Sequence, residues 1–125
     1  MDQTVEKDLL IAVRQPKDAE KTTELETEHL PAIDAPDRIK LGEPFEVTVE
    51  VARGAVHPSQ AGHFIEFIEV SADDTRLARV DLAAGTTRAK VSFRLILRAP
   101  AKELRARVRC SRHGEWAASR PLEVV

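Results

Sequence analysis

The residues of this chain that are best suited to chemistry are its histidines and its single cysteine. The 125-residue sequence has four histidines, His29, His57, His63 and His113, and the cysteine is Cys110. Imidazole nitrogens and a thiolate bind transition metals, and a thiolate beside an imidazole is also the catalytic pair of some hydrolases. Each histidine lies at a break between predicted strands or next to a turn residue. Ligands held by loops on a rigid scaffold occur in such places.

The spacing groups these five residues into three segments. His29 lies in "TEHLP", His57 and His63 enclose the loop "PSQAG", and Cys110 with His113 forms Cys-x-x-His in "RARVRCSRHGEW". Each segment alone is weak evidence, because a single loop histidine is most often a solvated side chain. Together the three segments predict a shell of four imidazoles and one thiolate.

Several kinds of site use such residues. Structural zinc is usually tetrahedral with several thiolates, and blue copper commonly needs an axial Met, whereas the one methionine here is Met1. A cysteine hydrolase needs an Asn or Asp to orient its histidine, and the chain has no asparagine and no marked oxyanion hole. Imidazoles with one thiolate suit iron, and five protein ligands leave one position of an octahedral ion open. A metal-free module in which the five residues coincide by chance remains an alternative.

Composition describes an ordinary single-domain chain. The net charge is −2, with 42% hydrophobic and 32% charged residues, so bulk electrostatics point to neither nucleic acid nor a membrane. One cysteine excludes a disulfide within the chain, and no apolar run approaches the roughly 20 residues of a membrane-spanning helix. The acidic N-terminal stretch does not resemble a signal peptide, so a cytoplasmic location is expected.

Period-two alternation from residue 43 onward predicts the strands that would position these residues. Residues 45–51, 89–99 and 103–110 alternate between apolar and polar side chains, which is typical of half-buried strands. Six or seven short strands separated by turn signals predict an all-β sandwich, residues 24–125. Further strands are predicted in "DRIKL", "FIEFIEV", "RLARVDL" and "RPLEVV".

The polar residues 1–23 are expected to form an N-terminal arm before the sandwich. Apolar residues at helical spacing, Val5, Leu9, Leu10 and Val13, indicate a short helix in this arm.

The segments "TEHLPAI", "VHPSQAGHFIEFIEV" and "CSRHGEW" resemble the three iron-ligand segments of the superoxide reductases, the neelaredoxin and desulfoferrodoxin family. The family pattern is His-x-Pro, then His-Pro with a second His six positions after the first, then Cys-x-x-His-Gly-x-Trp. Order and spacing match over residues 24–120. The resemblance implies a seven-stranded, immunoglobulin-like antiparallel β-sandwich with one mononuclear non-haem iron (Fe2+/Fe3+) per chain. It implies an axial thiolate from Cys110 and equatorial ligands from His29, His57, His63 and His113.

The resemblance also implies an activity. Superoxide would bind the open sixth position, take one electron from the iron and be protonated to hydrogen peroxide. A rubredoxin-like or similar carrier would then reduce the iron again. Members of the family form dimers or tetramers, so a homo-oligomer is expected.

One departure from the family pattern concerns the residues before His29. Many members have Glu-Lys there; the lysine attracts superoxide and the glutamate can occupy the sixth position. This chain has Thr27 and Glu28 instead. Glu26 or Glu28 could supply the carboxylate, and Arg112, with Lys40 if its strand lies close, could supply positive charge. The alternative function is an iron-binding accessory, sensor or partner-binding module with weak or no superoxide chemistry.

Overall fold

The computed structural model describes residues 13–15, 23–52 and 57–125. Seven of the described strands have four residues or more. The elements are β1 (Val13–Arg14), α1 (Glu24–His29), β2 (Pro31–Asp34), β3 (Arg38–Ile39), β4 (Phe45–Val51), β5 (Ile65–Ala72), β6 (Thr75–Asp81), β7 (Lys90–Leu95), β8 (Glu103–Cys110), β9 (Gly114–Pro121) and β10 (Glu123–Val124).

The strands form two main sheets and one short strand pair. The larger sheet has the order β1-β9-β8-β5-β6, the smaller sheet β2-β4-β7, and β10 pairs with β3. The longer strands pair antiparallel, whereas β1 with β9 and β10 with β3 pair parallel. The predicted all-β sandwich is confirmed.

The core lies between the two main sheets and follows the predicted alternation. Val47 and Val49 of β4 and Leu104 and Val108 of β8 are fully buried. Burying one such side chain stabilises the fold by about 1.5–3 kcal/mol. This inward row of β8 ends at Cys110, which is also fully buried. The apolar core therefore fixes the direction in which the cysteine side chain points.

The opposite face of the larger sheet is polar. Arg107 of β8 donates to Glu69 of β5 and to Glu115 of β9, each at 3.2 Å. The guanidinium groups of Arg79 and Arg107 lie 4.0 and 5.3 Å from the ring centroid of Phe67. Ion pairs and cation–π contacts thus hold Arg79 and Arg107 on the polar face of the sheet.

Besides β1, three elements were not predicted from the sequence: β2, β9 and α1. Strand β2 is short, and β9 contains the run "EWAAS", which lacks clear alternation. It forms because each of its residues pairs with a residue of β8. Helix α1 begins at a capping box, in which Thr23 and Glu26 each accept the other's main-chain N–H.

The predicted arm helix lies mostly outside the described residues. Its last position, Val13, is described, and it is extended rather than helical because it pairs with Glu115 in β1. A domain boundary after residue 23 stays a prediction. In the described part of the chain, no helix is long and apolar enough to cross a membrane.

Candidate metal centre

The three predicted segments meet at one end of the sandwich. His29 is the last residue of α1, and Cys110 is the last residue of β8. Cys110 pairs with Ile65 at the start of β5, directly after the loop that carries His57 and His63. The sheet register therefore brings this loop to the end of β8, although the two are far apart in sequence.

The four imidazole rings form a closed cycle. Ring centroids are 4.8 Å apart for His29–His57, 5.0 Å for His57–His63, 5.2 Å for His63–His113 and 4.8 Å for His113–His29. Neighbouring rings are inclined by 75° to 81°. The donor atoms of His29, His57, His63 and Cys110 lie within 4.8 Å of one another. His113 Nδ1 lies 3.1 Å from His29 Nε2 and 3.8 Å from Cys110 Sγ.

These separations fit a metal ion. Two nitrogens at about 2.1 Å from a metal are about 3.0 Å apart at right angles and about 4.2 Å apart when opposite. The Nε2 atoms of His57 and His63 are buried and have no hydrogen-bond partner among the described residues. An unpartnered buried nitrogen costs free energy, and a metal ion would use its lone pair. The donor set present therefore suits such an ion.

Backbone carbonyls fix two of the histidine rings. His29 Nδ1 donates to the Leu25 carbonyl and His57 Nδ1 donates to the Pro58 carbonyl, both at 2.8 Å. When Nδ1 carries the proton, Nε2 keeps a free lone pair and faces the cluster. These carbonyls are not recognisable from the sequence, because only the folded backbone brings them to the rings.

Ser111 joins the two ligand loops. Its N–H donates to the Phe64 carbonyl at 2.9 Å, and its hydroxyl oxygen accepts the Phe64 N–H at 3.1 Å. Phe64 follows His63, and Ser111 follows Cys110, so this clamp fixes one ligand relative to the other. Gly114 closes the turn with φ of +80°, a conformation that favours glycine. Sequence reasoning missed the role of Ser111.

Burial sets the protonation states. It lowers the pKa of His29 to about 4, although the hydrogen bond to Leu25 opposes this, and it lowers the pKa of His57 and of His63. Neutral imidazole is the form that binds metals, so at pH 7 these rings are ready to do so. Burial raises the pKa of the Cys110 thiol, while the N–H groups of Arg112 and His113 hydrogen-bond the sulfur and oppose the rise. Those two N–H groups would stabilise the thiolate once a metal displaces the proton.

Two of the predicted auxiliary residues act electrostatically on His63. After burial, the strongest influences on the pKa of His63 are Arg112, which lowers it, and Glu28, which raises it. Arg112 is exposed and Glu28 is half-buried. The structure thus places one group of each sign at the rim of the cluster.

The other two auxiliary residues are not positioned as expected. The Glu26 carboxylate accepts the Thr23 N–H at 2.8 Å, a cap that it would have to break to reach a metal. Lys40 lies 3.7 Å from Glu43, near the start of β4. The site lies beyond the other end of β4, and seven strand residues span about 20 Å. The structure therefore does not bring Lys40 to the cluster.

Fold and site define the class of protein: a β-sandwich that carries, at one end, a His/Cys cluster able to hold a metal ion. The family model described as desulfoferrodoxin matches residues 20–119. A curated Methanocaldococcus jannaschii protein named "Putative superoxide reductase" is 40% identical over 99 residues, 75% of this chain and 81% of that protein.

Solved structures agree with this match. "Superoxide reductase (Neelaredoxin) from Ignicoccus hospitalis" is 31% identical with a TM-score of 0.77, covering 95% of this chain and 98% of that one. "Superoxide reductase from Nanoarchaeum equitans" is 27% identical with a TM-score of 0.64, covering 80% and 97%. The chain therefore belongs to the desulfoferrodoxin family, which is iron-binding, and is an enzyme of the superoxide reductase class.

Proposed function

We propose that this protein binds one mononuclear non-haem iron and reduces superoxide to hydrogen peroxide. The iron would be held by the Cys110 thiolate and by the imidazoles of His29, His57, His63 and His113. The observation that carries the proposal is the closed cycle of four imidazoles, two of which have unpartnered buried Nε2 atoms, with the Cys110 sulfur beside them.

Donor chemistry supports iron over the other common metals. Four imidazoles exceed what a tetrahedral, thiolate-rich zinc site uses. A blue copper site needs only two histidines and a weak axial ligand, commonly Met, and the one methionine is Met1. Five donors would leave room on a bound iron for a small anion. Membership in an iron-binding family agrees with this choice.

The protein's own groups prepare this site. Bound Fe2+ would supply the single electron that, with two protons, turns superoxide into hydrogen peroxide. The carbonyls of Leu25 and Pro58 hold two histidines in the tautomer that offers Nε2. The N–H groups of Arg112 and His113 share the negative charge of the Cys110 sulfur. A thiolate ligand donates electron density to iron, and hydrogen bonds to the sulfur tune that donation.

Charged groups at the rim have proposed roles as well. The Arg112 guanidinium beside His63 attracts the superoxide anion, in place of the lysine that many family members have. The Glu28 carboxylate, which also acts electrostatically on His63, would be a candidate to bind the oxidised iron. Its negative charge opposes that of the arginine and would slow the approach of the superoxide anion.

Partners follow from the same chemistry. Each turnover consumes one electron, so the protein needs a one-electron donor, for which a rubredoxin-like carrier is suited. We further propose that the protein is cytoplasmic and assembles as a homo-oligomer, a dimer or a tetramer.

Metal analysis with superoxide kinetics tests this function. The purified protein should contain about one iron per chain, and oxidation should produce a visible thiolate-to-iron absorption band. In pulse radiolysis or stopped-flow, each superoxide consumed should yield one hydrogen peroxide, whereas dismutation yields one for every two. Iron and a band without superoxide consumption would leave the accessory or sensor function. Absence of both would overturn the iron centre itself.

A further inference from the structure

Trp116 contacts two of the proposed ligands at once. Its side chain is 2% exposed, and its ring lies 4.8 Å from the His29 ring, with 19° between the planes. Its indole N–H donates to the main-chain carbonyl of His113 at 3.2 Å. One side chain of β9 therefore supports both the ligand at the end of α1 and the ligand in the β8–β9 turn.

The stacking of Trp116 on His29 restricts a ring motion that the hydrogen bond of His29 still permits. The bond from His29 Nδ1 to the Leu25 carbonyl fixes one edge of the ring at 2.8 Å. The ring can still tilt about that bond, and a tilt would swing Nε2 away from the cluster. Packing against the flat indole opposes the tilt, because near-parallel rings are an attractive arrangement. The edge and the plane of this imidazole are thus fixed by two separate groups.

The indole N–H acts on the other ligand segment. By holding the His113 carbonyl, it fixes the turn formed by residues 111–113. The same turn presents the N–H groups of Arg112 and His113 to the Cys110 sulfur. A shift of the turn would change these hydrogen bonds and so change how strongly the sulfur donates to a metal.

We propose that Trp116 is a positioning residue of the metal centre. Its ring face orients His29, and its N–H holds the turn that carries His113 and the sulfur hydrogen bonds. It supplies no donor atom to the metal. This inference rests on the proposed metal centre and adds to it a side chain that sets both metal affinity and the electronic state of the Cys110 sulfur.

Titration of the metal-free protein with Co2+, whose bound form absorbs visible light, tests this role. Trp116→Leu removes both the stack and the N–H, and Trp116→Phe keeps an aromatic ring but removes the N–H. We expect Trp116→Leu to weaken Co2+ binding about 10- to 100-fold. Trp116→Phe should bind Co2+ within a few-fold of wild type but shift the energy of the thiolate-to-cobalt band. Phe45→Leu, a buried aromatic at the opposite end of β4, is the matched control and should change neither quantity.

The outcomes separate this inference from the proposed function. Wild-type affinity and an unshifted band in both Trp116 variants would overturn the positioning role while leaving the metal centre intact. If Trp116→Leu does not fold, the band energy of Trp116→Phe decides, because that variant keeps most of the buried ring. A wild-type protein that does not bind Co2+ would remove the metal centre, and the inference with it.

Discussion

The two ends of the sandwich are built on different principles. At one end of β8, Leu104 is fully buried in an apolar core that also contains Phe45 and Leu122. At the other end the same inward face reaches Cys110, and the neighbours are histidines such as His29, which is 1% exposed. The interior of one end is apolar, whereas the interior of the other contains buried polar groups.

This difference shows that one end of the sandwich stabilises the fold, whereas the other end holds the candidate metal ligands. Apolar burial stabilises the strands wherever they run. Without a bound metal, the histidine end destabilises the fold, because it buries nitrogens that lack hydrogen-bond partners. The apolar end must therefore offset the cost of keeping the ligands in place. Perturbing one end at a time therefore tests this contrast.

The largest effect is expected from the ligand itself. Cys110→Ser should abolish the visible thiolate band and most superoxide reduction, because an alcohol does not replace a thiolate as a donor to iron. Absorption spectroscopy of the oxidised protein and stopped-flow kinetics measure the two losses. Val108→Thr is the matched control, since it places a hydroxyl on the same inward face of β8. It should lower stability yet keep the band; loss of the band there too would mean that any polar change in this strand destroys the site.

The converse change at the apolar end should affect stability alone. Leu104→Ala removes a fully buried side chain and should lower the free energy of unfolding by about 2–5 kcal/mol. The folded variant should keep its iron and its absorption band, because about 20 Å of strand separates it from Cys110. Denaturant unfolding and the visible spectrum provide the measurements. A changed band in folded Leu104→Ala would contradict the separation of the two ends.

Acid should destabilise the metal-free protein through the buried histidines at one end of the sandwich. The pKa of His29 is lowered from 6.5 to about 4 by burial, and burial also lowers the pKa of His57 and of His63. Between pH 6.5 and about 4 the unfolded chain therefore binds protons that the folded site does not, and the free energy of unfolding falls as the pH falls. Thermal unfolding over this range should show the fall, and His29→Gln should reduce it. An unchanged Tm for the metal-free wild type would contradict the expectation.

The smallest effect concerns a single surface charge. Arg112→Ala should lower the second-order rate with superoxide by about twofold to tenfold and weaken its dependence on ionic strength, because salt screens steering. Arg98→Ala, an exposed arginine at the opposite end, is the control and should leave the rate unchanged. Equal rates for wild type and Arg112→Ala, with the same salt dependence, would rule out steering by Arg112.

The prediction of the fold succeeded where local pattern and burial agree. Strand β4 alternates along its whole length, and its predicted bounds coincide with the observed ones. Strand β9 was missed because its pattern is weak and its pairing with β8 is a long-range property. Helix α1 was missed as well, although the capping pair Thr23 and Glu26 marks its start in the sequence.

The sequence by itself determined the identity and order of the candidate donors, since His29, His57, His63, Cys110 and His113 form recognisable spacings. It also determined that Cys110 points inward, because period-two alternation assigns it to the apolar face of its strand.

Only the tertiary structure decided which groups support those donors. The Leu25 carbonyl, the Ser111 clamp and the Trp116 ring reach their partners through helix geometry, sheet register and packing. It likewise placed Glu28 and Arg112 beside His63 and left Lys40 at the opposite end. Apart from the Leu25 contact within α1, these contacts join segments remote in sequence, and no local pattern encodes the distance between two points of a folded chain.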